Sequence, residues 1–237
     1  MKKNLLALAF LVGLLTCCKS EDAPIKPVKP TDPGSINKEY MSRAETTFAN
    51  IFKYYWSDKV RMMFGSYPNT LGTPQEPSSP DYNSHTYLWG LGSVVSAFNA
   101  IVQNTDNVDF RMTYESRLKE TLLKYYNTTK EPMCFGCFVN PHDQRLYDDA
   151  IWVGIDLADL YSKTKDSWYL DYAKSVWNFV LSGKDDELGG GVYWDENAKD
   201  SKNTCSNAPA VVLALKLYQI TNDAAYSVSY THLRAHE

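Results

Sequence analysis

The chain has 237 residues, a formal net charge of −4 and an aromatic content of 14%. The slight negative charge argues against nucleic acid or an anionic membrane surface as a partner. The 17 tyrosines and 6 tryptophans suit a packed core, but they also suit sugar binding, because aromatic faces stack on the C–H faces of a pyranose.

The first residues have the pattern of a lipoprotein signal peptide. Lys2 and Lys3 precede the apolar run "LLALAFLVGLL", which is too short for a stable membrane span, and "LLTCC" follows. We assign residues 1–17 to the signal and expect acylation at Cys17 or Cys18, since a leucine lies three positions before each. Acylation at either cysteine would hold the protein on a membrane through its lipid chains. An ordinary secretory signal is the alternative.

Residues 18–36 predict an extended tether, because they are rich in proline and charge and contain almost no apolar side chains. The acidic residues shortly after the cysteines resemble the surface-export signal of Bacteroidetes lipoproteins. We therefore expect an outer-membrane lipoprotein, either at the cell surface or on the periplasmic face of that membrane.

Apolar residues at three- and four-residue spacing predict a helical domain over residues 37–226. The first five predicted helices are 37–56, 84–104, 108–126, 146–163 and 166–183, of which the first has Asn37 as its cap and the last ends at Gly183. A sixth helix is predicted to begin at a cap residue, Ser206 or Asn207, with Pro209 in its first turn. Residues 63–83 and the segment "DDELGGGVYWDEN" read as loops, the latter with a short extended piece.

An internal repeat links these helices. "LYSKTKDSWY" at 160–169 matches "LYQITNDAAY" at 217–226, and "WGLGSVVSAF" at 89–98 is a looser copy of "WVGIDLADLY" at 152–161. Helical hairpins that recur about every 60 residues predict a toroid, which at six hairpins needs on the order of 350 residues. A generic helical bundle or an open solenoid is the alternative.

Three cysteines follow the signal: Cys134, Cys137 and Cys205. "CFGC" has the spacing of a redox or zinc half-site, but no second cysteine pair and no histidine pair at ligand spacing accompany it. We expect a short-loop disulfide or plain packing rather than redox chemistry. No metal and no organic cofactor are expected.

Asp148 and Asp149 stand side by side at the head of the helix predicted at 146–163. Acids in a first turn are stabilised by the positive end of the helix, so capping alone explains them. Two adjacent carboxyl groups also suit glycoside hydrolysis, in which one attacks the sugar and the other handles the proton. The short separation fits a retaining enzyme more easily than an inverting one.

Three segments together resemble glycoside hydrolase family 76, the endo-α-1,6-mannanases. They are "YDDAIWVGIDLADLY", "KDDELGGGVYWDEN" and "KNTCSNAPAVVLALKLYQIT", and the resemblance runs from about residue 40 to residue 226. It implies an all-α (α/α)6 toroid, of which this chain holds about the first half to two-thirds. It also implies α-mannan as substrate, with Asp148 as nucleophile and Asp149 as general acid/base.

The resemblance and the composition together nominate further residues for substrate binding. Aromatic rings would stack on mannose, while amide and hydroxyl groups would bind its hydroxyls; packing and capping are the alternative roles. The candidates are Tyr87, Trp89, Tyr147, Trp152, Tyr193, Trp194, Asn203, Thr204 and Asn207, with weaker cases at His85 and Ser206. A second acidic pair, Asp185 and Asp186, is expected to form a turn.

The predicted function is a glycosidase that cleaves α-1,6-mannosidic linkages, acts as a monomer and stops short of a closed toroid. "SVSYTHLRAHE" at 227–237 resembles translated adapter sequence, so we expect a non-native tail and give His232 and His236 no role. An incomplete ring would expose apolar helix faces, which predicts an unstable and inactive chain. The alternatives are a non-catalytic surface glycan-binding lipoprotein and a toroidal glycosidase of another linkage.

Overall fold

The structure is a computed structural model that describes residues 33–68, 85–139 and 144–227, with side chains from residue 38 onward. The predicted signal peptide, Cys17 and Cys18, the tether up to residue 32 and the tail from residue 228 lie outside the described residues. The second of the chain's two units begins at Glu39 and holds the contacts described below.

Six α-helices account for most of the described residues, so the predicted all-α class is confirmed. They are α1 (Pro33–Tyr55), α2 (Leu88–Asn104), α3 (Val108–Tyr125), α4 (Tyr147–Thr164), α5 (Ser167–Ser182) and α6 (Thr204–Thr221). A single 3-10 turn, Glu187–Gly189, precedes α6. Within this described part, none of the helices combines the length and apolar character that a bilayer crossing requires.

Two short antiparallel hairpins join the helices and were missing from the sequence-based prediction. Strand β1 (Trp56–Ser57) pairs with β2 (Met62–Met63), and β3 (Tyr126–Asn127) pairs with β4 (Cys134–Phe135). Strands of two residues carry no measurable alternation of apolar and polar side chains, so a periodicity argument cannot find them.

Three predicted helix starts are wrong, and one of them is the start predicted at residue 84, because α2 begins at Leu88. Helix α1 begins at Pro33, so Asn37 lies inside it and residues 33–36, assigned to the tether, are helical; proline suits a first helical position because its missing N–H has no partner there. Helix α6 begins at Thr204 because its first turn closes on the carbonyl of Asn203, before Pro209.

Helix α4 is the central element, with α2 and α6 on either side and α5 packed along it. At Gly154 an added Cβ would lie 2.9 Å from Val176, so the absence of a side chain lets α4 and α5 approach closely. Helix α1 packs on α2 and α3 through Phe48, whose ring centroid lies 6.0 Å from Phe98 and 5.3 Å from Phe110.

The predicted repeat is present as the same turn after α4 and after α6. Lys165 and Asn222 both adopt left-handed backbone conformations, with φ of 61° and 56°. Their N–H groups donate to carbonyls four residues back, each at 2.8 Å. The preceding threonines, Thr164 and Thr221, both donate to a leucine carbonyl one turn earlier at 2.7 Å.

The start of the next helix repeats as well. The carboxylate of Asp166 accepts the N–H of Trp168 at 3.0 Å, and that of Asp223 accepts the N–H of Ala225 at 2.9 Å. Equivalent caps at an offset of 57 residues make each α-hairpin one copy of a repeating unit. The contacts of α4 with α2 and with α6 place these three helices side by side.

Candidate active site

The two aspartates predicted to be catalytic occupy the first turn of α4. Leu146 is the residue before the helix and offers no capping side chain. Instead, Asp148 Oδ1 accepts the backbone N–H of Asp149 at 3.0 Å. One acid therefore satisfies a free N–H of the helix start, but neither is the N-cap residue itself.

The carboxyl group of Asp149 lies at the wall of a groove of about 320 Å³ between α2 and α4. Asp149 is only 8% exposed, whereas the residues Trp89 and Trp152, which line the same groove, are 56% and 42% exposed. The remaining lining residues are small: Gly92, Ser93 and Ser96. A buried acid thus faces a hollow whose walls are two accessible aromatic rings.

Burial, and to a smaller extent the negative charge of Asp148, raises the pKa of Asp149 to about 6. A hydrogen bond with the Cys137 thiol opposes this effect. A carboxyl group with a pKa near 6 is present in both protonation states close to neutral pH, as a group that gives and later takes a proton requires.

Asp148 has a different environment, because hydrogen-bond donors face both of its oxygens. The indole N–H of Trp194 donates to Oδ2 at 3.1 Å, and Oδ1 accepts the amide described above. The exposed Cys205 thiol lies close to Asp148; burial and the Asp148 charge raise the pKa of this thiol. These two N–H donors fix the orientation of the Asp148 carboxyl group.

Backbone contacts fasten the loop that carries Trp194 to the start of α4. The N–H of Tyr147 donates to the carbonyl of Trp194 at 3.0 Å, and the Trp194 N–H donates to Ser201 at 3.1 Å. Leu146 and Asp195 also form an antiparallel bridge. The position of the indole is therefore tied to the helix that carries both acids.

A buried ion pair reinforces this attachment. Arg145, the largest fully buried side chain, donates through Nε to Glu196 at 2.8 Å and through a second nitrogen to the other carboxylate oxygen. Its third nitrogen donates to the carbonyl of Pro132 at 2.6 Å. The two partners flank α4 and Trp194, so this pair links the acid-bearing helix to the loop opposite it.

The other side of the loop is held by Asn207 on α6. Its side chain accepts the N–H of Val192 at 2.7 Å and donates to the carbonyl of the same residue at 3.1 Å. Gly191, with φ of +82°, passes so close that an added Cβ would lie 2.5 Å from the Asn207 amide oxygen. The glycine-rich run thus allows a close approach to Asn207.

Residues 39–229 match the sequence profile of glycosyl hydrolase family 76. The chain belongs to this family. The family assignment made from the three sequence segments is therefore confirmed. A comparison with curated proteins finds no match.

Solved structures of the family share the fold. A family 76 enzyme from a bovine strain of Bacteroides thetaiotaomicron is 29% identical with a TM-score of 0.71, over 81% of this chain and 41% of that one. A family 76 mannosidase from Bacteroides thetaiotaomicron is 24% identical with a TM-score of 0.71, over 82% and 52%.

A third solved structure is an inactive α-1,6-mannanase variant of Salegentibacter, in complex with α-1,6-mannotriose, in which two consecutive aspartates are replaced by asparagine. It is 21% identical with a TM-score of 0.60, over 83% of this chain and 49% of that one. The chain thus spans about half the length of the structures it matches.

Several residues nominated from the family resemblance lie near the two acids. Trp89 and Trp152 line the groove with Asp149, and Trp194 contacts Asp148. Tyr87 is exposed at the start of α2, where its ring meets the Phe138 ring edge-on at 5.1 Å. Asn203 and Thr204 are exposed at the start of α6, beside the thiol that contacts Asp148.

Three nominated residues have structural roles that contradict a contact with substrate. Tyr147 is 2% exposed and stacks on Phe179 with ring centroids 4.3 Å apart. Tyr193 is also 2% exposed, with Lys202 4.4 Å from its ring centroid. The amide of Asn207 is occupied by the backbone of the glycine-rich loop.

The weaker candidates are buried too. His85 stacks on Phe64, and burial lowers its pKa; Ser206 lies in the core at the start of α6. Asp185 forms the expected turn, since it accepts the N–H of Glu187 at 3.1 Å. Sequence alone does not show which face of a helix or loop turns inward at these positions.

The cysteines of "CFGC" are buried free thiols, so the disulfide alternative is wrong and packing is the observed role. Burial raises the pKa of each thiol to about 12. The interaction of Cys137 with Asp149 was not predicted, because the spacing of the two cysteines says nothing about an acid 12 positions away. No group of histidine, cysteine and acidic residues in the described ranges is arranged to hold a metal ion.

Proposed function

We propose that this family 76 protein hydrolyses α-1,6-mannosidic linkages in α-mannan by a retaining mechanism. The observation that carries the proposal is the unequal pair of adjacent acids beside an aromatic groove. Asp149 is buried with a pKa of about 6, while Asp148 accepts N–H donors on both oxygens. The Salegentibacter protein supports the sugar and linkage, since it is an α-1,6-mannanase solved with α-1,6-mannotriose, and its variant lacking two consecutive aspartates is inactive.

The first step uses the two acids in different protonation states. An oxygen of ionised Asp148 attacks C1 of the mannose and forms a covalent ester as the glycosidic C1–O bond breaks. Protonated Asp149 gives its proton to the departing oxygen, so the leaving sugar departs as an alcohol.

The second step reverses these roles. Asp149, now ionised, takes a proton from a water molecule as the water oxygen attacks C1. The bond between C1 and Asp148 breaks, which restores the Asp148 carboxylate and releases the mannosyl product with its original anomeric configuration. The pKa of about 6 at Asp149 suits both halves of this cycle.

The groove supplies the binding surface for the sugar. Trp89 and Trp152 lie on neighbouring helices and expose their rings on the side where Asp149 is accessible. A pyranose that stacks on such a ring places its C–H face against the indole and leaves its hydroxyls free. The small residues between the rings leave the space that a sugar ring would occupy.

The test replaces each acid in the complete gene product that carries this sequence. D148N and D149N should each lower the rate of sugar release from α-1,6-mannan by more than about 1000-fold, because each removes a reacting group. The matched control is D186N, taken from the second acidic pair, since Asp186 is exposed and lies in the loop before α6; its rate should stay within about two-fold.

Two outcomes of this experiment would overturn the proposal. Survival of release in both D148N and D149N would remove the enzymatic assignment. Wild-type protein that binds α-mannan without cleaving it would indicate a surface glycan-binding lipoprotein instead. A product screen over α-1,6-mannan, α-glucan and uronate polymers tests the linkage, and proton NMR of the first-formed anomer tests retention.

We further propose that the protein is anchored to the outer membrane through an acylated Cys17 or Cys18. Its support is the order of charged, apolar and cysteine-containing segments at the start of the sequence. Cells expressing the protein with labelled fatty acid should yield a labelled product that C17S or C18S abolishes. Full labelling in the double variant would contradict the anchor.

A further inference from the structure

We propose that Trp194 is a positioning residue for the nucleophile, with its indole N–H fixing the Asp148 carboxylate for attack on C1. This inference rests on the function proposed above. It assigns to Trp194 a role other than the sugar-stacking surface that the sequence suggested. The contact that carries it is the bond from Nε1 to Asp148 Oδ2 at 3.1 Å.

Each oxygen of the Asp148 carboxylate accepts a hydrogen bond from a group that can only donate. Its Oδ1 accepts the Asp149 amide at 3.0 Å, and its Oδ2 accepts the indole N–H. With one donor on each oxygen, rotation about the bond to the carboxyl carbon would break a hydrogen bond. Loss of the indole donor would leave Oδ2 free to turn away from the sugar.

Trp194 is itself fixed to the helix that carries Asp148. Its carbonyl accepts the N–H of Tyr147, the first residue of α4, at 3.0 Å. Two residues further along, Glu196 forms the buried pair with Arg145, and the Glu196 N–H donates to the Arg145 carbonyl at 3.3 Å. The indole donor and the nucleophile are thus held in register by contacts on both sides of Trp194.

The donor has its largest effect on chemistry rather than on binding. In the second step the bond between C1 and Asp148 breaks, and the electron pair returns to the carboxylate. A positioned N–H stabilises this developing charge, whereas it makes no contact that requires substrate to be present. Because the donor also orients the carboxylate for the first attack, its removal should slow both steps, which lowers kcat and leaves KM nearly unchanged.

The experiment makes two changes at Trp194 in the complete gene product: Trp194→Phe, and replacement by benzothienylalanine, in which sulfur takes the place of the indole N–H. The control variants are W89F and W152F. Hydrogen bonds to charged groups are worth about 1.5–3 kcal/mol, so both Trp194 changes should lower kcat about 10- to 100-fold with KM within about three-fold. The two control indoles line the groove, so their changes should raise KM and leave kcat within about three-fold.

The isostere keeps the ring and removes only the N–H, which separates donation from stacking. Full activity of the isostere, or a rise in KM with kcat unchanged in both Trp194 variants, would overturn the inference and make Trp194 a stacking surface. If the wild-type protein itself releases no sugar from α-1,6-mannan, the proposed function fails instead.

A second measurement decides the contact without any turnover. The indole Nε1–H resonance of Trp194, assigned with W194F, should shift by at least about 0.3 ppm in D148A and stay in place in D186A, because ring N–H shifts follow their acceptor. An unmoved resonance in D148A would show that Trp194 does not donate to the nucleophile.

Discussion

The two ends of the helical hairpins are built in different ways. At the ends where α3 and α5 begin, Asn107 and Asp166 provide side-chain caps. At the opposite ends, where α2, α4 and α6 begin, the preceding residues Tyr87, Leu146 and Asn203 provide no side-chain cap. Only the second kind of end lies beside the two aspartates.

The capped ends therefore stabilise the fold, whereas the uncapped ends form the candidate active site. The capped ends close each hairpin with contacts between residues a few positions apart, and they repeat from one hairpin to the next. The uncapped ends leave helix N–H groups and the positive end of the helix dipole available to acids and oxygen ligands. Long-range contacts, led by the Arg145–Glu196 pair, then hold these ends together.

The largest expected effect tests that long-range attachment. Arg145→Met should lower the free energy of unfolding by about 3–5 kcal/mol, because it leaves Glu196 partly buried with only Lys130 as a charged partner. The double change R145M with E196L should recover at least about half of this loss, since it removes the unpaired charge. Urea unfolding of the complete gene product measures both.

A loss below about 1 kcal/mol in R145M would show that the site end does not depend on the buried pair. The backbone bonds between Tyr147, Trp194 and Ser201 would then be sufficient to hold the loop. A double variant no more stable than R145M would show instead that the loss comes from the missing guanidinium contacts and not from an unpaired charge at Glu196.

The same division explains what could be predicted from the sequence. The helices, the turn around Lys165 and Asn222, and the acidic pair all follow from neighbouring residues, so periodicity, caps and a motif find them. The contacts of Trp194 with Asp148 and of Cys137 with Asp149 join residues 46 and 12 positions apart, and no local pattern encodes them.

Burial was the other property that local patterns missed. Tyr147 stands beside the catalytic pair in sequence, but its ring faces α5 and packs where Gly183 leaves room; a Cβ on that glycine would lie 2.3 Å from the ring. The sequence offered Gly183 only as a helix stop. Its second role depends on Tyr147, which lies 36 positions earlier in the chain.

The next effect tests the energetic consequence of placing two acids together. Burial and the Asp148 charge raise the pKa of Asp149 to about 6 in the folded protein, above about 3.9 in an unfolded chain. The contribution of protonated Asp149 to the free energy of unfolding is therefore fully present below about pH 4. It is lost as the pH rises through about 6, because the unfolded state releases the proton first. The free energy of unfolding of D149N should be about 1–2 kcal/mol higher than that of wild type at pH 7.5 and equal to it at pH 4.

Thermal or urea unfolding across pH 4–8 checks this, with D186N as the control because Asp186 is exposed. A D149N variant that is less stable than wild type at pH 7.5 would contradict the argument. It would indicate that the hydrogen bond with Cys137 outweighs the burial and charge of Asp149.

The smallest effects test the capped ends, where the repeat predicts similar behaviour at equivalent positions. Asp223→Ala removes only a cap and should cost about 0.5–1 kcal/mol, whereas D166A should cost about 1–2 kcal/mol, because Asp166 also pairs with Lys119 at 2.6 Å. D166N keeps an acceptor for the N–H of Trp168 and loses the charge, so it should fall between wild type and D166A. If D166N matched D166A, the ion pair rather than the cap would stabilise that turn, and the two hairpin ends would be alike only in shape.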